Sequence, residues 1–284
     1  MKKYTLSLIA LTFLFIGCGN DDSKTKNNQP NKVNSVKDAT KSLNALNSFQ
    51  SINFSIASSV TPNSQNKLLK ILTNQTLTKL QKTQTSTCVD GGNVTFDLSE
   101  DTKTIKYLFD NCKNGTTFMD GSMTMLTQDD NSYSIDYDKL TVKTPKGTQY
   151  MDMSMKFTEN NILNTTIMNG VVKQTSSTGE INNISMTNFV IKDQETKEES
   201  WHTIDGKMNL ETKCFTGAYV FKTIEKMIDA TDGSDNTQSG TLELNGATYT
   251  FENPHVTIKA GNESETILQS ELEKRMTQES ACNI

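Results

Sequence analysis

The 284-residue chain is poor in several residue types, and each shortage excludes a class of function. Its single arginine is Arg275, and its lysines form no stripe. Because nucleic-acid-binding and anionic-lipid-binding surfaces need dense positive charge, the sequence argues against both. No Cys-x-x-Cys pair is present, so a thioredoxin-type redox motif and a zinc knuckle are excluded as well.

The sequence patterns that mark common active sites are also missing. The chain has no Gly-x-Ser-x-Gly, His-Glu-x-x-His or Gly-x-Gly-x-x-Gly pattern, and no phosphate-binding loop ending in Lys-Ser or Lys-Thr. His202 and His255 are its only histidines, and no carboxylate pattern links them. A metal or general-base role for either is therefore disfavoured. We expect no cofactor, and a protein without catalysis is favoured over an enzyme.

The N-terminus holds a short apolar run at residues 6–16, preceded by Met1-Lys2-Lys3. Its length of about 11 residues falls short of the roughly 20 that span a bilayer, which favours a secretion signal. The run ends in Phe15-Ile16-Gly17-Cys18, which resembles the lipobox of bacterial lipoproteins. This resemblance implies that residues 1–17 are a signal peptide and that Cys18 is lipidated.

The lipoprotein resemblance also implies a location. Acyl chains on Cys18 would hold the chain in the membrane of the bacterial cell envelope, since each buried methylene contributes about 0.8 kcal/mol. Gly19, where an aspartate would stand in lipoproteins kept at the inner membrane, favours the outer membrane by analogy with the family. Without residues 1–17 the chain has 26 basic and 33 acidic residues, a net charge of −7.

The mature chain divides into three segments by composition. Residues 18–34 hold too few apolar side chains to offset the entropy of ordering, so they predict a disordered tether. Residues 35–86 show helical spacing, first from Val36 to Leu46 and then from 68 to 80 with Ser64 as N-cap, separated by a short alternating stretch at 52–56. We expect this helical segment to pack on a sheet formed by residues 87–284.

The β segment is organised around a pattern that occurs three times, at 133–143, 182–192 and 249–259. In each copy apolar residues alternate with polar ones, then the phase slips by one residue and alternation resumes. In the first copy the slip separates Ile135 and Tyr137 from Leu140 and Val142. A strand with one buried face can absorb such a slip in a bulge, so the pattern predicts one long bent strand used three times.

Each repeat also has flanking strands. A glycine and a short strand precede the bent strand, starting at Gly121, Gly170 and Gly240. A return strand follows at 150–157, 201–210 and, by analogy, 265–272, although the last segment also has helix formers. Asp-Gly or Asn-Gly pairs at 120–121, 169–170, 205–206, 232–233 and 245–246 predict turns. A further strand is predicted from 214 to 223.

Together these features predict a mainly β fold with an N-terminal helical segment. The expected sheet is an antiparallel meander of about a dozen strands with three internal repeats, and its bends would curl it toward a barrel or half-barrel.

Four cysteines remain after Cys18, and an even number in an exported chain predicts two disulfides with three alternative pairings. We favour the local pairing, Cys88 with Cys112 and Cys214 with Cys282. The first pair would clasp a hairpin of strands at 91–98 and 104–109. The arrangement of Cys88, Gly91-Gly92 and Asn111-Cys112 loosely resembles uncharacterised, exported β-rich bacterial lipoproteins over residues 88–260, a resemblance that implies no known activity.

Methionine is the one unusual enrichment among candidate ligands. Two runs place thioethers on alternate residues of strands that we predict to be neighbours: Met123 and Met125, and Met151, Met153 and Met155. Thioethers suit Cu(I), but methionine also fills β-sheet cores, and no His or Cys joins the set. The core interpretation is favoured, and no metal site is predicted. The loop at 229–236 has oxygen ligands for Ca²⁺ but lacks EF-hand spacing, which favours a solvated turn.

Three functions are compatible with these features. The first is a lipid-anchored structural or interaction module of the envelope, held by acyl chains and presenting its β domain to an envelope protein partner. The second is a carrier of a hydrophobic ligand or lipid in a half-barrel cavity. The third is an enzyme with an unrecognised site. The module is favoured, because alternation supplies one apolar face only, which a filled core uses completely.

Overall fold

A computed structural model describes residues 32–51, 83–100, 103–129, 131–159, 163–196, 199–212, 216–230 and 237–279. The predicted signal peptide, most of the predicted tether, the predicted strand at 52–56 and the predicted helix from 64 lie outside these ranges. The same is true of three cysteines: Cys18, Cys214 and Cys282.

The described chain forms one 14-stranded sheet with a helix before it and a helix after it. The strands are β1 Thr83–Thr87, β2 Asn93–Leu98, β3 Thr104–Asn114, β4 Thr117–Asp129, β5 Ser132–Thr144, β6 Gly147–Glu159, β7 Leu163–Ser176, β8 Ile181–Glu195, β9 Ser200–Glu211, β10 Thr216–Asp229, β11 Thr237–Leu244, β12 Ala247–Glu252, β13 His255–Ala260 and β14 Glu263–Leu268. The helices are α1 Val36–Ser51 and α2 Gln269–Glu279.

The sheet is an antiparallel meander in which every strand pairs with its neighbours in sequence. This confirms the predicted fold class, with two more strands than the expected dozen. The sheet is not closed, because β1 and β14 form its two edges. The prediction missed β1 and placed it in the helical segment, since Thr-Gln-Thr-Ser-Thr contains no apolar residue to alternate.

The first two long bent strands are confirmed as β5 and β8. In β5 the pairing with β6 shifts register between Tyr137 and Leu140, and Lys139 has a left-handed φ of 52°. In β8 the pairing with β9 shifts at the corresponding place, where Asn188 has a φ of 45°. Each bulge moves the following side chains by one position, so both halves of the strand bury their apolar residues on the same face.

The third bent strand was a wrong prediction. The segment 249–259 is a hairpin, in which β12 ends at Glu252 and β13 begins at His255. The turn contains Asn253 and Pro254, joined by a cis peptide bond. Proline cannot donate to a ladder, so the strand reverses here. A two-residue turn produces the same slip in the sequence pattern as a bulge. Phe251 and Val256 are an odd number of positions apart, yet the turn pairs them across the hairpin on one face of the sheet.

Three of the Asp-Gly and Asn-Gly pairs lie within strands, where the sequence predicted turns. Gly121, Gly170 and Gly206 stand inside β4, β7 and β9 with φ of 110°, 125° and 125°. A Cβ on Gly121 would collide with the backbone of Lys139 in β5, and a Cβ on Gly206 with that of Asn188 in β8. Both collisions lie where the neighbouring strand bends. Glycine is thus required by the close approach of two strands. Gly121, Gly170 and Gly240, which we predicted to open strands, lie inside β4, β7 and β11 instead. The pair at 245–246 is a turn as predicted, and 232–233 lies outside the described residues.

The residue before each of these glycines has a matching role. Its side-chain Oδ1 accepts a hydrogen bond from a backbone N–H in the neighbouring strand, where a bulge interrupts the ladder. The three bonds are Asn111 N to Asp120 at 3.1 Å, Asn188 N to Asn169 at 2.7 Å and Thr223 N to Asp205 at 3.0 Å. An N–H that a bulge removes from the ladder is therefore satisfied by a side chain. The contact occurs in the first repeat at Asp120 and in the second at Asn169 and Asp205.

The last predicted strand, 265–272, is half strand and half helix. β14 ends at Leu268, and α2 begins at Gln269. The side chain of Gln269 accepts a hydrogen bond from Thr237 N at 3.1 Å and donates one to Thr237 O at 2.8 Å, which holds the start of the helix on β11. Alternation gives way to helical spacing here, since Leu272 and Met276 are the buried residues.

The core lies on one face of the sheet, which we call the inner face. Both helices pack on it at the β11–β14 end, where Leu244, Tyr249 and Ile258 are completely buried. The hydroxyl of Tyr249 donates to Ala39 O at 2.6 Å and so ties α1 to the sheet. The predicted helix at the start of the chain is confirmed as α1, whose Val36, Ala39 and Leu43 are buried.

Candidate functional site

The predicted disulfide between Cys88 and Cys112 is present, with a Cα–Cα distance of 5.4 Å. It joins the loop after β1 to the far end of β3, so it closes the hairpin of β2 and β3 as expected. Two hydrogen bonds of the same loop reinforce it, from Val89 N to Asn114 Oδ1 at 2.9 Å and from Gly115 N to Asp90 Oδ2 at 2.5 Å. The disulfide is buried and structural.

The methionine runs do not form a common site. Met123 and Met125 are on β4 and the other three are on β6, with β5 between them rather than adjacent as predicted. Tyr137 of β5 pairs with Met123 on one side and Met153 on the other. The two runs are therefore about 10 Å apart, twice the strand spacing. Met123, Met151 and Met153 are buried, which agrees with the core interpretation.

A polar cluster lies on the inner face where β9 begins and β10 ends. Nδ1 of His202 is 3.2 Å from Oδ1 of Asp229, and Ser200 Oγ donates to Oδ2 of the same carboxylate at 2.6 Å. The His202–Asp229 contact has ion-pair distance but not the angles of a hydrogen bond, since Nδ1 has no hydrogen-bond partner. We therefore treat it as an ion pair that forms when His202 is protonated. Cross-strand pairing places Asp193 of β8 beside His202.

The cluster changes the acidity of its carboxylate. The pKa of Asp229 is lowered, chiefly by the interaction with His202, and burial opposes this shift while the Ser200 hydrogen bond adds to it. The side chains are 19% and 33% exposed for His202 and Asp229. Water screens the pair at this exposure, so its contribution to stability is below about 1 kcal/mol.

The order of contacts in the cluster does not activate a nucleophile. In a serine nucleophile triad the hydroxyl donates to the imidazole, which the carboxylate orients from its other side. Here Ser200 donates to the carboxylate, so Asp229 stands between the serine and the histidine. The Ser200–Asp229 hydrogen bond satisfies two polar groups at the rim of the core.

The two histidines lie far apart in the sheet. His255 is exposed at the start of β13, four strands from His202. In the described ranges, no group of three or more His, Cys, Asp or Glu side chains could hold a metal ion. Asp229, first residue of the predicted loop, is the end of β10 and is engaged with Ser200 and His202. The part of that loop from 231 to 236 lies outside the described residues.

A half-buried apolar surface occupies the inner face of β2–β6. We call it the aromatic–methionine surface and define it as Phe96, Tyr107, Phe109, Met125, Ile135 and Met155. Its rings touch in series, with centroids 5.5 Å apart for Phe96 and Tyr107 and 6.4 Å for Tyr107 and Phe109. Ile135 pairs with Met125 on one side and Met155 on the other, which continues the surface. Burial raises the pKa of Tyr107.

Sequence reasoning missed the His202–Asp229 contact. The two residues are 27 positions apart, and only the pairing of β9 with β10 brings them together. A partial signal was present, since Ser200 and His202 alternate on one face of a predicted strand. The aromatic–methionine surface was also missed, because alternation marks an apolar face without showing how far the rest of the chain covers it.

Comparison with known proteins yields no match, either among protein-family models or among curated proteins. Among the described residues, no helix is both long and apolar enough to cross a membrane.

Proposed function

We propose that this protein is a lipid-anchored component of the bacterial cell envelope whose β domain is a structural or interaction module without catalysis. The observation that carries the proposal is the N-terminal leader, a short apolar run that ends in Gly17-Cys18. In the proposal, acyl chains on Cys18 hold the protein in the outer membrane, and the sheet is presented to a protein partner.

The sheet supports a role in contact rather than chemistry. The polar cluster around Asp229 has the wrong order of contacts for nucleophilic catalysis. The outer face instead carries ordered pairs between strands, such as Asn183 with Glu211 at 3.1 Å and Asn209 with Ser185 at 3.0 Å. Pairs of this kind stiffen a surface without making a pocket.

The anchor is tested by mass spectrometry of the mature protein purified from membranes. We expect an N-terminal peptide that begins at an acylated Cys18, and we expect Cys18→Ser to retain residues 1–17 and lose the acyl mass. A mature protein that begins at Met1, or an unmodified Cys18, contradicts the anchor.

Cross-linking in whole cells, followed by identification of the captured proteins, tests the interaction role. Surface protease treatment shows which way the domain faces.

The aromatic–methionine surface favours one second function, carriage of a hydrophobic ligand or lipid. Methionine and aromatic side chains adapt to varied apolar ligands, and these are only partly buried. After gentle extraction, a lipid carried by the wild type and lost from Met125→Asp would support carriage. Ile224→Asp, at an exposed position of β10, is the matched control and should leave any lipid in place. A wild-type protein free of lipid would count against this function.

A further inference from the structure

In the part of the chain that the structure describes, β1 is an edge strand and presents a row of backbone groups to its surroundings. Cys88 N donates to Gly92 O at 3.0 Å, so these two residues are a hydrogen-bonded pair at the end of the β1–β2 hairpin. Hydrogen-bonded and non-hydrogen-bonded pairs alternate along an antiparallel ladder, so the peptide groups of Gln84 and Ser86 face β2. The peptide groups of three residues then face away from the sheet: Thr83, Thr85 and Thr87.

β1 lacks three of the features that protect edge strands, namely proline, charge and bulges. All five of its residues are exposed, and the strand contains no proline, no charge and no register shift. Natural edge strands are usually blocked by one of these devices. The opposite edge, β14, is blocked by charge, since it carries Glu263 and Glu265, and Arg275 of α2 binds Glu265 at 2.8 and 2.9 Å. The two edges are therefore not equivalent.

We propose that β1 pairs with β1 of a second copy of this chain, antiparallel and about a two-fold axis at Thr85. Thr85 then faces its own equivalent, and Thr83 of each copy faces Thr87 of the other. These three pairs use every outward N–H and C=O of the strand, giving about six hydrogen bonds in the antiparallel pattern. Such an interface is isologous and closes as a dimer, whereas β1 paired with β14 would grow an open chain of copies.

Charge and side chains fit a second copy. The chain is acidic overall, with a net charge of −5, so two copies repel except where the surface is neutral, as it is along β1. Threonine pairs of the required kind already exist within the sheet. The hydroxyls of Thr85 and Thr95 are 2.9 Å apart, as are those of Thr257 and Thr266. The interface is short, so dimer formation rests on the proposed function in one respect: the membrane anchor raises the local concentration of copies of the chain.

The sheet offers a matched control at Thr266 in β14. Ala260 and Glu263 flank a two-residue turn and form its hydrogen-bonded pair, so by the same alternation the peptide groups of Thr266 also face outward. Thr266 pairs with a threonine, as Thr85 does, and both are exposed or half-exposed on an edge strand. The two positions differ only in the edge to which they belong.

Cysteine cross-linking of the full chain in native membranes tests the geometry. Cα atoms of a hydrogen-bonded cross-strand pair are about 5.5 Å apart, within the range that a disulfide spans. We expect Thr85→Cys to give at least tenfold more covalent dimer on mild oxidation than Thr266→Cys. Equal dimer from both variants, no dimer from Thr85→Cys, or cross-linking of Thr85→Cys to a different protein would each overturn the proposal.

Proline substitution tests the energetics without cross-linking. Thr85→Pro removes an outward N–H and leaves the inward ladder to β2, and Thr266→Pro does the same at the other edge. For the acylated chain in detergent, sedimentation should show a dimer whose dissociation constant rises at least tenfold in Thr85→Pro and stays within twofold in Thr266→Pro. A monomeric wild type, or equal effects of both prolines, would overturn the dimer. The acyl mass on Cys18 is measured separately, so failure of the anchor and failure of the dimer are distinguishable.

Discussion

The two ends of the sheet are stabilised in different ways. At the β11–β14 end the inner face is covered by α1 and α2, and Leu244, Tyr249 and Ile258 are completely buried. At the β1–β3 end no residue of β1 or β2 is buried, and Cys112 is the one buried residue of β3. A disulfide joins this end instead. One end is held by packing, and the other by a covalent link that compensates for a thin core.

Removing one apolar side chain at each end should show the contrast most strongly. Ile258→Ala opens a cavity in β13 and should lower the free energy of unfolding by about 4 kcal/mol. Ile105→Ala, at a half-buried position of β3, should cost about 1 kcal/mol, because folding buries less apolar surface of that side chain. Denaturant unfolding of both variants measures the difference. Equal losses would show that the ends are packed alike.

Removing the disulfide should weaken the β1–β3 end selectively. The cysteines are 24 positions apart, and in the chain-entropy model a loop of this size contributes about 3.5 kcal/mol. For Cys88→Ala combined with Cys112→Ala, hydrogen exchange should speed up in β1–β3 while β11–β14 stay protected. Ile258→Ala is the reciprocal control and should act at the other end. Uniform deprotection of the whole sheet would contradict two separately stabilised ends.

The contact between Tyr249 and Ala39 should contribute a smaller amount. Tyr249→Phe removes a buried hydrogen bond to Ala39 O and should cost about 1.5 kcal/mol in denaturant unfolding. Burial raises the pKa of Tyr249, so the hydroxyl keeps its proton and remains a donor to a higher pH than an exposed tyrosine would. Tyr107→Phe, on a half-buried ring, is the control and should change stability by less than about 0.5 kcal/mol. A larger effect at Tyr107 would reverse the comparison.

The smallest expected effect is the pH dependence from Asp229. Its folded pKa is lowered, so the carboxylate stabilises the fold above its unfolded pKa of about 3.9, and this stability is lost as the pH falls through the folded value. Asp229→Asn should cost less than about 1 kcal/mol at pH 5.5, and the difference from wild type should shrink below about pH 4. In a His202→Gln background the stability cost of Asp229→Asn should be smaller still, and a double-mutant cycle measures this difference. If the cost of Asp229→Asn is the same with and without His202, the ion pair is not its cause.

Local patterns were enough to predict most of the strands. Alternation with a slip predicted the bends at Lys139 and Asn188, because a sheet with one buried face leaves few ways to absorb an extra residue. The same slip led to the wrong prediction of a bent strand at Pro254, because a tight turn produces an identical pattern. Asp120-Gly121 misled in the same way, since a positive φ serves a turn or a close approach of strands equally well.

The sequence by itself determined the mainly β architecture and the α1 helix, and it favoured the local disulfide between Cys88 and Cys112. Each depends on residues close together in the chain: a period of two, a period of three to four, and two cysteines that flank one hairpin. Only the tertiary structure decided that His202 meets Asp229, that both helices cover one end of the sheet, and that β1 and β14 are its edges. These contacts depend on the pairing of strands with one another, which no spacing along a single strand can specify.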